Sequence, residues 1–217
     1  MPRRITHGVS ALTLVLTLVL MNGIAQATPT LPAAPGAPAA AGDWPMYGHD
    51  AARTNYNPAE TAISAANVDQ LVQRWEYQIG SGGSQTSSAP SVAGGRVYVG
   101  SSVTSGDNFF ALDAGTGAFA WSADLGYTDD CWHVGIGATP AIAGDLVVAG
   151  GGNATYYGLD AATGAQRWSH PLGAGASAFA WASPLLANGR AYVGVASYCD
   201  NPSVQGAVRA LDLATGG

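Results

Sequence analysis

Lysine is absent from the 217-residue chain, and only two of its fourteen acids are glutamate. All eight basic residues are arginine, scattered along the sequence, and the formal net charge is −6. An acidic chain with scattered arginines lacks the electrostatic footprint of a nucleic-acid binder. Charged residues make up only 10% of the chain, too few for the Glu-, Lys- and Arg-rich surfaces of a helical bundle. Two cysteines allow at most one disulfide, which excludes a disulfide-framework miniprotein. What is abundant is glycine, at 30 residues, within a chain that is 47% hydrophobic and 9% aromatic. That supply of apolar residues is enough for a real core, so disorder is expected only in linkers. The composition reads as β-rich and globular.

The first 27 residues read as an address. Arg3 and Arg4 form a basic start, residues 11–21 an apolar core, and Ala25-Gln26-Ala27 a small-residue cleavage site. The apolar core is far shorter than the roughly 20 residues a spanning helix needs. Export with cleavage is therefore expected, giving a mature chain that starts near Thr28, carries no transmembrane segment and is secreted or periplasmic. Residues 28–42 are a Pro/Ala tract without charge or periodicity, which reads as a semi-extended linker. Folded structure is expected from about Asp43 onward.

A repeat dominates the remainder. Ala89-Pro90, Thr139-Pro140 and Ser183-Pro184 each open a unit, followed by a short strand, a Gly-Gly, Gly-Asp or Asn-Gly turn and a second strand ending at Gly100, Gly150 or Gly194. Each unit closes on Leu-Asp and a D-x-x-T-G turn: Asp113 to Gly117, Asp160 to Gly164, and Asp212 to Gly216. In that turn the carboxylate can accept backbone N–H bonds while the glycine supplies a positive φ. Trp121 and Trp168 stand eight residues after their aspartates. A tryptophan recurring at one place in each unit suits packing between neighbouring units, with cofactor stacking as the rival role. Four short antiparallel strands per unit predict an all-β fold, a β-propeller of four-stranded blades. The expected organisation is an N-terminal closing segment at 43–84 and blades at about 85–126, 134–173 and 178–217. The third unit stops before its tryptophan, and three blades cannot close a ring. The chain therefore reads as incomplete at its C-terminus, a piece of a longer protein.

The A-x-D-x-x-T-G-x-x-x-W pattern resembles the tryptophan-docking repeat of quinoprotein dehydrogenases and their non-enzymatic relatives, the PQQ-repeat propellers. The opening run strengthens the resemblance: Asp43-Trp44, Tyr47-Gly48-His49-Asp50, Arg53, Asn55, Pro58, Ile63, Asn67-Val68, Leu71 and Trp75. In that family such a stretch supplies the outer strand that closes the ring. The similarity is closest to the polyvinyl-alcohol-dehydrogenase-like branch. Enzymes of the family hold pyrroloquinoline quinone (PQQ) and Ca²⁺ over the propeller centre.

Position by position, the resemblance leaves most quinone contacts unmatched. Ser87 stands where the enzymes commonly carry Glu, Cys131-Trp132 where they carry adjacent cysteines, Ile136-Gly137 where an Arg follows, and Gln205-Gly206 where they have Arg-Gly. The candidate metal ligands are Asp200 and Asn201, with an Asx-turn or solvated role as the alternative reading of Asp200. Trp132 and His133 are candidates for lining a central, cofactor-binding pocket. The family's catalytic Asp lies in later blades, so no catalytic residue is expected within this chain. Cys131 and Cys199 are expected to form a disulfide, since both sit on one face of adjacent blades in an oxidising compartment. His49 and His170 lack a second ligand at metal spacing and read as structural. Asn153-Ala-Thr155 matches a glycosylation sequon.

Two functions follow from these residues. One is an exported binding or scaffold propeller that holds a protein, glycan or small ligand on its top-face loops. The alternative is a PQQ- and Ca²⁺-dependent dehydrogenase that oxidises alcohols or polyols outside the cytoplasm. No nucleic-acid partner is expected for either.

Overall fold

Pairs of strands joined by glycine turns recur through the chain because each unit alternates short apolar runs with residues that tolerate φ > 0. The computed structural model describes residues 41–79, 88–128, 134–173, 178–200 and 203–217. The first sheet contains β1 (Ser91–Ala93), β2 (Arg96–Gly100), β3 (Phe109–Asp113) and β4 (Phe119–Ala123). The second contains β5 (Ala141–Ala143), β6 (Leu146–Gly150), β7 (Thr155–Asp160) and β8 (Gln166–Pro171). Both run in sequence order with every neighbouring pair antiparallel. The third contains β9 (Ala178–Phe179), β10 (Leu185–Ala187), β11 (Arg190–Ser197) and β12 (Ala207–Asp212). Here β9 and β10 both pair with β11, and β12 lies on its other edge. The register repeats faithfully: Ser91 opposes Tyr98, Ala141 opposes Val148 and Leu185 opposes Tyr192. Among the described residues the only helical element is a single 3₁₀ turn at Val68–Gln70.

Alternation of strand direction gives every sheet two chemically different ends. One end, the turn end, carries the tight hairpins and the D-x-x-T-G turns. The other, the loop end, carries the second-to-third connections and the segments that lead from one sheet into the next. At the turn end, Asp113 Oδ1 accepts from the Gly115 and Thr116 amides at 3.1 and 2.9 Å and from the Thr116 hydroxyl at 2.7 Å. Asp160 and Asp212 repeat the same three bonds within their own turns. Bonds to the ionised form hold all three carboxyls below the ordinary value of 3.8, led by Thr116 at Asp113, by the Arg167 guanidinium at Asp160 and by the Thr215 amide at Asp212. A depressed folded pKa adds stability that is present above the unfolded value and is lost as pH falls through the folded one. Acid unfolding should therefore be flat above the carboxylate range and steepen below pH 3.8. Replacing Asp113, Asp160 and Asp212 together by Asn should flatten that acid limb, as followed by circular dichroism.

The turns also join sheets. Trp121 Nε1 donates to the Ala161 carbonyl at 3.0 Å, and Trp168 Nε1 to the Leu213 carbonyl at 2.9 Å. Each carbonyl belongs to the residue after a turn aspartate of the following sheet. Trp75 makes the same bond to Ala114, at 3.0 Å. Each indole covers the turn glycine of the sheet it reaches: a Cβ on Gly117, Gly164 or Gly216 would fall 2.6 to 2.7 Å from Trp75, Trp121 or Trp168. These glycines also have φ between 72° and 76°, so both conformation and space require glycine.

Closer to the strands' loop ends a second device acts. Ile136, fully buried, packs into the space above Gly100, and Ala180 does so above Gly150. The cores follow this arrangement. One joins the first and second sheets around Tyr98, Phe109, Trp121, Ile136 and Val147. The other joins the second and third around Val148, Tyr156, Trp168, Leu186 and Val193. Phe109 and Tyr156 are fully buried by the following sheet, whereas Val208, in the same place on β12, is 75% exposed. The third sheet has no neighbour on that face among the described residues.

The opening run meets the sheets at two places. Trp44 pairs with Val92 of β1, exchanging bonds of 2.6 and 2.9 Å. The Ile142 amide of β5 donates to the Pro45 carbonyl at 2.8 Å, and Met46 joins the core beside Leu186 of β10. Residues 44–46 therefore bond to β1 and β5 and share a core cluster with β10, and β5 contacts both of the other two strands between sheets. Only Trp75 occupies the outer position, and the stretch around it forms no ladder among the described residues.

Candidate functional site

Of the candidate residues, the described Cys199 and Asp200 fall at the loop end. Trp132, His133, Cys131 and Asn201 lie outside the described residues, as does Ser87. Cys199 and Asp200 follow β11 in a turn with φ of 65° and 56°, and both are exposed. Among the described residues no group of three His, Cys, Asp or Glu side chains is placed to hold a metal ion. Asp200 is thus brought to the loop end, but it belongs to no described group of three such side chains.

The structure instead assembles an aromatic cluster there that the repeat alone did not indicate. Phe179 and Trp181 have ring centroids 4.7 Å apart, Phe179 and Tyr198 5.3 Å, and Trp181 stacks on Tyr198 at 5.4 Å. Trp181 Nε1 donates to the Ser197 carbonyl at 3.0 Å, which fixes the indole while half of its surface stays exposed. Phe179 is fully buried and is held by the β9–β11 pairing with Ala196. A signal for this cluster does exist in the sequence. Trp181 stands two residues before Ser183, a place occupied by Ser87 and Gly137 in the first two units. A ring inserted where the repeat is small marks a departure from pure architecture.

The other sequence candidates are structural. His49 is buried edge-on against Trp44 at 5.1 Å, with Nδ1 3.7 Å from Asp50 Oδ2. His170 sits opposite Tyr156 in the β7–β8 ladder. The Asn153 amide nitrogen donates to the Tyr157 hydroxyl at 3.0 Å, and its oxygen accepts from the Thr155 amide at 3.2 Å. Its side chain also fills the space above Gly126. The sequon asparagine is therefore engaged in shaping its loop. Tyr98, whose hydroxyl donates to Ala161 at 3.2 Å, is pushed up to about 12 by burial and acts as a neutral brace between sheets.

A repeated Asp-turn, a tryptophan docked on the next sheet's turn and four-stranded antiparallel blades together define the architecture, and comparison with known proteins agrees with it. The family described as outer membrane protein assembly factor BamB matches residues 61–217. The chain belongs to this family of PQQ-repeat β-propellers. Its fold is similar to quinohemoprotein alcohol dehydrogenase from Comamonas testosteroni, with a TM-score of 0.62 and 27% identity over 80% of this chain and 26% of that one. A europium-containing methanol dehydrogenase shares the fold, with a TM-score of 0.61 and 24% identity over 80% of this chain and 30% of that one. Among curated proteins, quinate/shikimate dehydrogenase (quinone) from Acinetobacter baylyi is 30% identical over 97 residues, which is 42% of this chain and 12% of that protein. The chain thus spans about a quarter of the similar quinohemoprotein and a smaller share of the quinate/shikimate enzyme.

The quinone named in these relatives can be tested against the side chains present. Where the resemblance calls for an arginine, Ile136 is fully buried in the inter-sheet core, and a Cβ on Gly137 would meet Phe179 Cε1 at 3.2 Å. Gln205 offers an amide in place of a guanidinium, with neither its charge nor its fork. These described residues do not fit the carboxylated quinone in the manner of the family's enzymes.

Proposed function

We propose that the chain is part of an exported PQQ-repeat propeller that serves as a binding or scaffold module, holding a protein, glycan or small ligand at its loop end. The observation that carries this reading is the Phe179–Trp181–Tyr198 cluster: a rigidly held, half-exposed indole at the end where the loops gather. An amphipathic ring fixed in place presents contact area at little entropic cost. The full-length protein, supplied with PQQ, Ca²⁺ and an artificial electron acceptor, should oxidise no alcohol, polyol or quinate. Turnover that depends on both additions would overturn the reading.

The second reading, a PQQ- and Ca²⁺-dependent dehydrogenase with Asp200 and Asn201 as metal oxygens, is favoured by the activities named for the similar proteins. For either reading we infer export: cleavage after Ala27 leaves Thr28 as the first residue. We also infer a Cys131–Cys199 disulfide. It is supported by the absence of any free cysteine among the described residues and by there being only two cysteines in the chain. Intact mass of the exported protein, with and without reductant, tests both. A species retaining Met1, or a mass unchanged by reduction, would contradict them.

A further inference from the structure

We propose that the loop end of this propeller excludes a carboxylated quinone, by the sign of its charge and by the ring of Phe179. The inference rests on the binding-module reading and sharpens it by stating which ligand chemistry that end rejects. PQQ is a polycarboxylate, and an anion taken out of water needs cations paired to it.

The charge distribution runs the other way. The described stretches at the loop end, residues 101–108, 124–128, 134–140, 151–154, 172–173, 178–184, 198–200 and 203–206, contain three aspartates, Asp107, Asp124 and Asp200, and neither arginine nor lysine. Several arginines of the sheets stand at the turn end. Arg96 opposes Asp113 and Arg190 opposes Asp212 in the ladders. Arg167 Nη2 binds Asp145 and Asp160 at 2.6 Å each. Arg53 approaches the loop end but is committed, donating to the Tyr47 carbonyl at 2.6 Å and the Ser183 carbonyl at 3.4 Å. It also lies over the Tyr47 ring, 5.2 Å from its centroid. One further arginine, Arg209 of β12, borders this end and lines a cavity with Leu172, Gly173, Gln205 and Gly206. Set against the three aspartates it leaves the charge there net negative, and a carboxylated ligand would meet repulsion where it needs neutralisation.

Phe179 supplies the steric part. The absence of a side chain at Gly137 is what admits the Phe179 ring, whose Cε1 and Cζ would stand 3.2 and 3.5 Å from a Cβ there. That ring is wedged against Trp181 and Tyr198 and is fully buried. An arginine at 137 would have to displace it. Phe179 and Gly137 thus form one unit in which the aromatic cluster replaces a cation.

Calorimetry on the full-length protein with PQQ and Ca²⁺ tests the proposal. The wild-type protein should show no saturation up to concentrations on the order of 0.1 mM, or weak binding that strengthens as salt screens the repulsion. Gly137→Arg combined with Phe179→Ala should bind at least about tenfold more tightly than wild type, while Gly137→Arg alone should gain nothing. Submicromolar binding by the wild-type protein, or binding that weakens as salt rises, would overturn the proposal. The salt series decides the matter if the double variant fails to fold. Tight binding without turnover would defeat this inference and leave the binding-module reading standing. Turnover with an uncharged quinone would do the reverse.

Discussion

Trp121→Ala is expected to lower stability by about 3–5 kcal/mol, the range for removing a large buried aromatic side chain. The indole is 6% exposed and lies 6.0 Å from the Tyr98 ring and 5.9 Å from the Phe109 ring. It also covers Gly164 and gives its N–H to Ala161 across the sheet boundary. Truncation opens a cavity that the positive-φ turn cannot collapse into, and it leaves the Ala161 carbonyl with only the weaker Tyr98 bond at 3.2 Å. Urea denaturation of the full-length protein should show a lower midpoint. A change under about 1 kcal/mol would mean the sheets do not depend on docking at this place.

Gly100→Val should be the most damaging small-to-large change in the first sheet. A Cβ there would stand 2.2 Å from Ile136 Cγ2 and 2.5 Å from Ile136 Cβ, and Ile136 is fully buried. Overpacking typically costs 1–3 kcal/mol, and contacts this close to a stiff β-branched side chain place the cost at about the upper limit or beyond. Adding Ile136→Ala should recover part of the loss by vacating the same space. Gly206→Ala is the control, because its Cβ would meet nothing nearer than the Val195 carbonyl at 3.5 Å. Thermal unfolding of the three variants gives the comparison, and equal losses for Gly100→Val and Gly206→Ala would contradict the packing account.

Much of the fold was legible because its determinants are local and repeated. The Asp–Thr–Gly turn needs only residues within five positions of one another, so spacing alone located all three turns. The docking tryptophans were visible as a repeated residue, but Trp75 was read only as part of the opening motif. Its distance of 46 residues from Trp121 matches the repeat and could have placed it as the first of the series. The bonding of residues 44–46 to β1 and β5 was not legible, since it depends on strands far apart in sequence. The aromatic cluster joins the end of β9, the stretch before Ser183 and the end of β11, three places linked only by folding. Its one sequence signal was the departure of Trp181 from the small residues at the same place in the other units.

Docking of each tryptophan on the following sheet's glycine turn is the central claim, and a double-mutant cycle between Trp121→Ala and Gly164→Ala measures it. In the wild-type background Gly164→Ala suffers twice, from a φ of 76° and from a Cβ 2.6 Å from Trp121 Cε3. Without the indole only the backbone penalty remains, about 1–2 kcal/mol. The double variant should therefore be more stable than the two single losses combined would give, with a coupling of about 1 kcal/mol or more. Additivity to within about 0.5 kcal/mol would show that the indole and the turn do not bear on one another, and would contradict the account.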